Sequence, residues 1–430
     1  MENAAAYPSL QGSSLSRVIK SLGPGIMMAA AAVGGSHLVA STKAGAIYGW
    51  QLAALILLVN LFKYPFFRAG VQYTMGTGEC LVHGYAQLGK PYLWIFMLLS
   101  IISAVINTAA LALFSASLLG YFMPFELSNL ALSTIVVATC LIILFAGHYK
   151  ALDSLAKIIM AILTIATLSA VVIAIGHPVA TVADAPDPSP WTLAAIGFLV
   201  VTMGWMPAPI EISSLTSIWL KNQCTQQDVT PKSALFDFNV GYIGTAILAI
   251  VFLALGALLI HGTGTELSKS GIGFTHQLVN LYASTIGEWA RYLIAVIAFF
   301  CIFGSTITVI DGYSRVIAES QRLLLKQDTA DKKADEKKHS YLSPWMLIVS
   351  VAALSILAFA KSALLPMLNF AMIMAFVTTP VFALLNYILV TRTPLPESLS
   401  LGPKMKWLSI AGLIYLFGFL ALFLWWKWFM

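Results

Sequence analysis

The sequence predicts an all-α, polytopic membrane protein with eleven transmembrane helices. Only 10% of its 430 residues are charged and 59% are hydrophobic, whereas about a quarter of the residues in soluble domains are charged. The hydrophobic residues are gathered into runs of roughly 17 to 25 residues or more, the length that an α-helix needs to cross a bilayer. Two of these runs are interrupted, one in each half of the chain, which favours an internal repeat.

The apolar runs define the spans in chain order. They lie at 23–46, 50–69, 93–121, 130–147, 155–176, 191–220, 236–261, 289–318, 344–360, 363–390 and 407–428. Residues 1–22 are expected to be a cytoplasmic segment without a cleavable signal, because Arg17 and Lys20 precede a first span that lacks a cleavage site. The Pro-rich, acidic stretch 177–190 is predicted to connect two halves, 23–176 and 191–390. Residues 391–430 then add a cytoplasmic loop and helix 11.

The positive charges predict a cytoplasmic N-terminus and a C-terminus outside a plasma membrane of bacterial inner-membrane type. In this orientation most of the 24 Lys and Arg residues fall on the cytoplasmic side, as the positive-inside rule requires. The exceptions are Lys43, Lys269, Arg291, Lys361 and Lys427. The net charge of +6 is thus explained by topology and indicates no nucleic-acid partner. The charged run 326–340 is expected to be a solvated loop, and the four scattered cysteines are expected to be packed thiols.

The first span is interrupted by Gly34, Gly35, Ser36 and His37. Each glycine weakens a helix by roughly 1 kcal/mol relative to alanine. Either the helix is opened at this point, or the glycines allow a neighbouring helix to pack closely.

The sixth span carries Pro207 and Pro209 in the run GWMPAPIE, residues 204–211. Each proline removes a backbone donor and clashes with the preceding turn, which disfavours an unbroken helix, although prolines also occur as simple kinks. Interruptions at matching positions in two halves are typical of inverted-repeat transporters, whose binding site lies between the half-helices near the membrane midplane. The unwound backbone must then line a protein-enclosed, wet cavity.

Residues 23–50, GPGIMMAAAAVGGSHLVASTKAGAIYGW, resemble the first helix of the Nramp family of metal transporters, and residues 203–215, MGWMPAPIEISSL, resemble its sixth. The match is carried by the Gly23, Pro24, Gly25 opening, by residues 44–49, and by Met206 with Pro207. The resemblance extends over nearly the whole chain. It implies a LeuT-type fold in which helices 1–5 and 6–10 form an inverted repeat and helix 11 is an addition.

The residues at the two breaks depart from the metal-transporting pattern. Where those members have aspartate, proline, glycine and asparagine, this chain has residues 34–37, GGSH, and their methionine, proline, histidine, asparagine run is replaced by residues 206–209, MPAP. The acids that the resemblance implies on helix 3 are also missing, and Asn107 is the most polar residue there. The chain therefore resembles a divergent member that lacks the usual metal-binding motif.

The predicted substrate site consists of residues at the two breaks. They are Gly34, Gly35, Ser36, His37, Met206, Ala208, Pro209 and Glu211. Divalent cations require oxygen or nitrogen ligands, usually with an anionic one, so this set favours a small polar solute such as urea, another amide or a small carboxylate. The alternative is a divalent cation, Mn²⁺ or Mg²⁺, bound through His37, Met206 and Glu211.

Ionisable residues within the membrane are costly and often functional, so His37, Glu211 and Asp311 are candidates for proton coupling. Each also has a structural interpretation: His37 as a donor to a freed carbonyl, Glu211 as a cap of the second half-helix, and Asp311 as the partner of Arg315 one turn away. Lys63 is expected to snorkel to the inner interface.

These observations predict a secondary active transporter that works by alternating access. A membrane sensor or scaffold that kept the fold but lost transport is a competing hypothesis. An enzyme is disfavoured, because no nucleophile–base pair, zinc-ligand spacing or phosphate-cradling loop is present. The expected partners are the substrate, the bilayer and, if transport is coupled, a proton; no cofactor is expected, and the sequence predicts no oligomeric state.

Overall fold

The computed structural model describes residues 23–147, 149–177, 179, 182, 187–268, 271–325, 333–360 and 364–429. The predicted N-terminal segment 1–22 lies outside the described residues, as do parts of the connector 177–190 and of the charged run 326–340. The regular structure of the described residues is helical.

The helices follow one another in this order. They are α1 (Pro24–Ala32), a π-helix (Ser36–Ser41), α2 (Thr42–Tyr48), α3 (Ala53–Thr77), α4 (Leu81–Leu88), α5 (Lys90–Gly120), α6 (Asn129–Phe145), α7 (Tyr149–Gly176), a 3₁₀ turn (Leu193–Ala195), α8 (Ile196–Gly204), α9 (Ile212–Cys224), α10 (Pro231–Leu259), α11 (Gly271–Ile286), α12 (Ala290–Leu324), α13 (Lys333–Ala360), α14 (Leu364–Arg392) and α15 (Pro403–Phe429).

Eight of the described helices are long and apolar enough to cross a membrane. A further span is bent by 45° at the break between α1 and the π-helix, and two shorter apolar helices cover Asn129–Phe145 and Leu193–Gly204. The all-α membrane class and the broken first and sixth helices are therefore confirmed, while the number of eleven spans stays a prediction.

Three parts of the helix assignment differ from the prediction. Helix α3 continues past the predicted end at residue 69 to Thr77, because polar residues of its last turns, such as Gln72 and Thr74, are buried against other helices instead of facing water. Helix α13 begins at Lys333, inside the predicted loop, where Ala, Glu and Lys are good helix formers. The short helices α4 and α11 were not predicted, because neither resembles a span.

The helix contacts occur in matched sets, as an inverted repeat requires. Helices α5 and α12 pack against each other at the centre. Around them, α10 packs on α1 and α2 of the first broken helix, and α3 packs on α8 and α9 of the sixth in the corresponding way. Likewise, α7 packs on α1, and α14 packs on α8. Helix α14 also contacts α3, just as α7 contacts α10. Both broken helices are therefore held by equivalent neighbours and meet in the middle of the bundle.

Small residues bring the first broken helix against α10. A Cβ atom at Gly25 would overlap the carbonyl oxygen of Asp237, and one at Gly45 would overlap that of Leu253. The Asp237 carboxylate accepts hydrogen bonds from the backbone N–H groups of Gly23, at 2.9 Å, and Gly25, at 2.6 Å. These bonds satisfy amides that the first turn of a helix leaves free, so α10 fixes where α1 begins.

Candidate functional site

The break in the first helix spans the residues between Ala32 and Ser36. Neither Gly34 nor Gly35 has a positive φ, and Gly35 has helical angles of −57° and −32°. Both glycines are instead required by close contacts: a Cβ at Gly34 would lie 2.9 Å from Ser305 Oγ, and one at Gly35 would lie 2.6 Å from Cζ3 of Trp205. The helix is thus opened, and its glycines also serve packing.

The break in the sixth helix covers residues 205–211, between the end of α8 and the start of α9. The peptide bond between Met206 and Pro207 is cis. Glu211 is the N-cap residue of α9, but its side chain makes no capping hydrogen bond. The carboxyl group is therefore directed to other partners.

A cavity of about 40 Å³ lies where the two breaks meet. Four predicted site residues line it: Gly35, Ser36, Ala208 and Pro209. The other lining residues are Ala31, Ala32, Asn107, Leu111, Trp205, Pro207, Ile212, Val309 and Tyr313. The walls are thus mostly apolar, and three neutral polar side chains, Ser36, Asn107 and Tyr313, face the same space.

A chain of hydrogen bonds runs from this cavity to Glu211. The indole Nε1 of Trp205 donates to Asn107 Oδ1 at 3.0 Å, and Asn107 Nδ2 donates to the Tyr313 hydroxyl at 3.2 Å. Tyr313 in turn donates to Glu211 Oε1 at 3.0 Å. The second carboxyl oxygen, Oε2, is buried and makes no hydrogen bond of standard geometry, although the Ser103 hydroxyl is near enough to interact with the carboxyl group. Glu211 is therefore one side chain removed from the cavity.

His37 is completely buried, does not line the cavity and contacts α10. Its Nε2 lies 2.9 Å from the carbonyl oxygen of Thr245, and its Nδ1 lies 2.7 Å from Ser36 Oγ and 3.2 Å from the carbonyl oxygen of Ala32. Both ring nitrogens are engaged by the protein, so in this conformation neither is open to a ligand.

Gly34, Met206 and Asp311 also lie outside the cavity lining. The Sδ atom of Met206 is buried and accepts a hydrogen bond from Ser41 at 3.8 Å. Asp311 accepts from Arg315 Nε at 2.7 Å, which is the pairing that their spacing predicts. Within the described ranges, no three His, Cys, Asp or Glu side chains come together as a metal site.

Lys63 does not snorkel, and that expectation is wrong. The side chain is fully buried in α3, and its Nζ donates to the carbonyl oxygens of Met203, at 2.8 Å, and Gly204, at 3.1 Å. These carbonyls end α8, so the lysine reaches the sixth-helix break. Sequence reasoning placed Lys63 near the interface because α3 was predicted to end at residue 69, whereas the longer helix puts Lys63 in its middle.

A second cavity, of about 140 Å³, lies at the predicted cytoplasmic end of the bundle. A charged network beside it joins α4, α9 and α12, and we call it the inner network. Lys221 Nζ lies 2.5 Å from the Glu79 carboxylate. The His83 ring lies 3.4 Å from Glu79 and 3.3 Å from Glu319. Arg322 binds Glu319 through two nitrogens, at 2.8 and 2.9 Å. Burial lowers the pKa of His83, against the opposing charges of Glu319 and Glu79.

Solved structures share this arrangement of helices. A mutant form of a manganese transporter of Eremococcus coleocola superposes with a TM-score of 0.69 over 98% of this chain and 88% of its own, at 13% identity. The structure of MhsT in complex with L-phenylalanine superposes with a TM-score of 0.59 over 93% of this chain and 97% of its own, also at 13% identity. At such identities the likeness shows the fold, which is LeuT-like.

Sequence relatives give the family. An uncharacterized protein of Pasteurella multocida is 53% identical over 406 residues, or 94% of this chain and 91% of its own length. The divalent metal cation transporter MntH of Staphylococcus saprophyticus is 23% identical over 301 residues, or 67% of each chain. The profile of the family described as natural resistance-associated macrophage protein-like, or Nramp, matches residues 25–426. With its apolar helices and its broken first and sixth spans, the chain is an integral membrane protein that belongs to the Nramp family of transporters.

Proposed function

We propose that this transporter carries a small polar organic solute by alternating access, and that the solute binds in the cavity between the two helix breaks. The observation that carries the proposal is the lining of that cavity. Apolar side chains and the Trp205 indole form most of its wall, and Ser36, Asn107 and Tyr313 supply neutral hydrogen-bonding groups. Mostly apolar walls with a few placed polar groups are typical of sites for small organic molecules.

The polar groups suit a solute that both donates and accepts hydrogen bonds. Asn107 contributes an amide, Tyr313 a hydroxyl and Ser36 a second hydroxyl, and groups of these types can both donate and accept hydrogen bonds. The cavity of about 40 Å³ has room for roughly three water molecules by the usual measure. Urea, another small amide or a small carboxylate fits these limits.

Uptake into proteoliposomes tests the proposal with radiolabelled urea and acetate as probes. We expect saturable uptake of at least one probe, and we expect Asn107→Ala to reduce it about tenfold or more, because losing a buried hydrogen-bonding partner costs roughly 1–3 kcal/mol. Met206→Ala is the matched control, because Met206 does not line the cavity, and it should keep uptake near the wild-type rate. Saturable uptake that Met206→Ala abolishes and Asn107→Ala leaves intact would contradict this site.

Transport of a divalent cation is the second candidate, and a specific finding favours it: the relative from Staphylococcus saprophyticus is a divalent metal cation transporter. The ligands would be Met206 Sδ, the Glu211 carboxylate and backbone carbonyls of the breaks. His37 would join them only by giving up its bonds to Thr245 and Ser36. Manganese uptake that Met206→Ala and Glu211→Gln both abolish would establish this function and refute the organic solute.

If transport is coupled to protons, we infer that Glu211 is the coupling group. The other two candidates are already engaged, His37 by backbone carbonyls and Asp311 by Arg315, whereas Glu211 is linked to the cavity through Tyr313. Glu211→Gln should remove the dependence of probe uptake on a pH gradient. Persistence of the full dependence in Glu211→Gln, with its loss in His37→Gln, would assign coupling to His37 instead.

A further inference from the structure

Lys63 is a buried basic residue whose place in the molecule needs an explanation beyond solute binding. It lies in the middle of α3, which is a membrane-spanning helix, and none of its side chain is exposed. A charged side chain at this depth is costly and is tolerated only where partners compensate for the lost water. The partners of Lys63 therefore indicate its role.

Those partners are the last two carbonyl groups of α8. The carbonyl oxygens of Met203 and Gly204 receive hydrogen bonds from Nζ at 2.8 and 3.1 Å. The chain leaves the helix directly after Gly204, so these carbonyls have no following turn to bind them, and they carry the negative end of the helix dipole. Half-helix ends with unwound carbonyls are where broken-helix transporters bind cations.

A carboxylate at the other side of the same break completes the arrangement. Glu211 is the N-cap residue of α9 and is buried at the far end of the break. The end of α8 is also closely packed, because the carbonyl oxygen of Met372 occupies the space that a Cβ atom at Gly204 would need. The ammonium group thus binds two carbonyl oxygens at one end of the break, and an acidic residue lies at the other end.

We propose that Lys63 is a tethered cation that occupies the carbonyl end of the broken sixth helix in place of a bound metal ion. The Lys63 side chain then stabilises the carbonyl groups at the end of α8, and no ion from solution is needed there. The inference concerns the ion requirement of the fold and does not depend on which solute is carried. It also means that two carbonyl oxygens of this break are already taken.

Chemical rescue of Lys63→Ala tests the proposal without knowledge of the substrate. The variant should unfold at a lower temperature than the wild type in detergent, because two buried carbonyls lose their donor. Methylammonium chloride, compared with choline chloride at equal ionic strength, should raise the Tm of Lys63→Ala saturably by about 2 °C or more. The wild type should show no such difference, since its own ammonium group fills the site.

Lys63→Met is the matched control, because it fills the volume without a charge and should be insensitive to methylammonium. Removing both charges in Lys63→Met/Glu211→Gln should recover part of the Tm that Lys63→Met loses, and this comparison decides the matter if Lys63→Ala does not fold. Equal responses of Lys63→Ala and Lys63→Met to methylammonium, or a double variant less stable than Lys63→Met, would overturn the proposal. Neither measurement uses uptake, so the proposed function can fail while this inference stands.

Discussion

At position 35 the absence of a side chain is a packing requirement. A Cβ atom at Gly35 would lie only 2.6 Å from Cζ3 of the Trp205 indole. The indole Nε1 donates a hydrogen bond to Asn107 Oδ1 at 3.0 Å. The ring therefore cannot retreat without giving up that hydrogen bond. The absence of a side chain at Gly35 thus allows the two breaks to pack together and the Trp205 ring to form one wall of the cavity.

Gly35→Ala should consequently destabilise the protein. Overpacking of this kind costs about 1–3 kcal/mol, so we expect a lower Tm in detergent and a weaker response of the Tm to any bound solute. Gly244→Ala is the control, since a Cβ atom there meets no other atom within 4 Å, and it should leave the Tm unchanged or slightly higher. A Gly35→Ala protein as stable as wild type would show that the contact with Trp205 is not tight in solution.

Sequence reasoning predicted some of the residues that line the cavity and missed others for a definite physical reason. Gly35, Ser36 and Pro209 stand out because they break a helical pattern locally. Trp205 and Tyr313 look like ordinary apolar-helix residues, and only the fold brings them to Asn107, which is 98 and 206 positions away. Lys63 was noticed, but its contact with α8 depends on how two distant helices pack.

The inner network links three elements and gives them a pH dependence. Burial lowers the pKa of His83 below its ordinary value of about 6.5, so the folded protein holds this side chain neutral where an unfolded chain would begin to bind a proton. The contribution of His83 to stability is therefore fully present above about pH 6.5 and is lost as the pH falls through the lower, folded pKa. Acidification should therefore lower the free energy of unfolding.

The variant His83→Gln checks this prediction. Below pH 6.5 the Tm of the wild type should fall more steeply than that of His83→Gln, while above pH 7 the difference between the two proteins should be constant. His276→Gln is a suitable control, because His276 lies against the Tyr121 ring, 4.6 Å between centroids, away from the inner network. Parallel Tm curves for wild type and His83→Gln from pH 5 to pH 8 would exclude His83 as the titrating group.

At the element scale, hydropathy located the long helices but not their polar extensions. A span is visible in sequence because its residues face lipid, whereas the last turns of α3 are buried by other protein and therefore carry polar residues such as Gln72, which donates to the carbonyl oxygen of Leu399. The breaks were visible because glycine and proline are costly inside helices. The same extension of α3 explains why Lys63 was placed too near the interface.

Across the whole molecule, the fold follows from two features that a sequence displays directly, the apolar spans and the matched interruptions. The residues that line the cavity cannot be predicted from the sequence in the same way. They depend on α5 and α12, which carry Asn107 and Tyr313 and show no local sign of a site. A family likeness therefore transfers the architecture of this protein, while the chemistry of the cavity depends on the side chains that the two breaks and the two central helices bring together.

The orientation of the whole molecule can be tested with a native cysteine. Cys224 ends α9 and is exposed, whereas Cys80, Cys140 and Cys301 are buried. If the N-terminus is cytoplasmic and the sixth helix runs inward, Cys224 faces the cytoplasm. In intact cells, a membrane-permeant maleimide should label it and a charged, impermeant maleimide should not.

In a Cys224→Ser background, Thr265→Cys, an exposed position in the loop between α10 and α11, should react with both reagents. Labelling of Cys224 by the impermeant reagent would show that the topology is the reverse of the predicted one, and that the inner network lies on the outer side of the membrane.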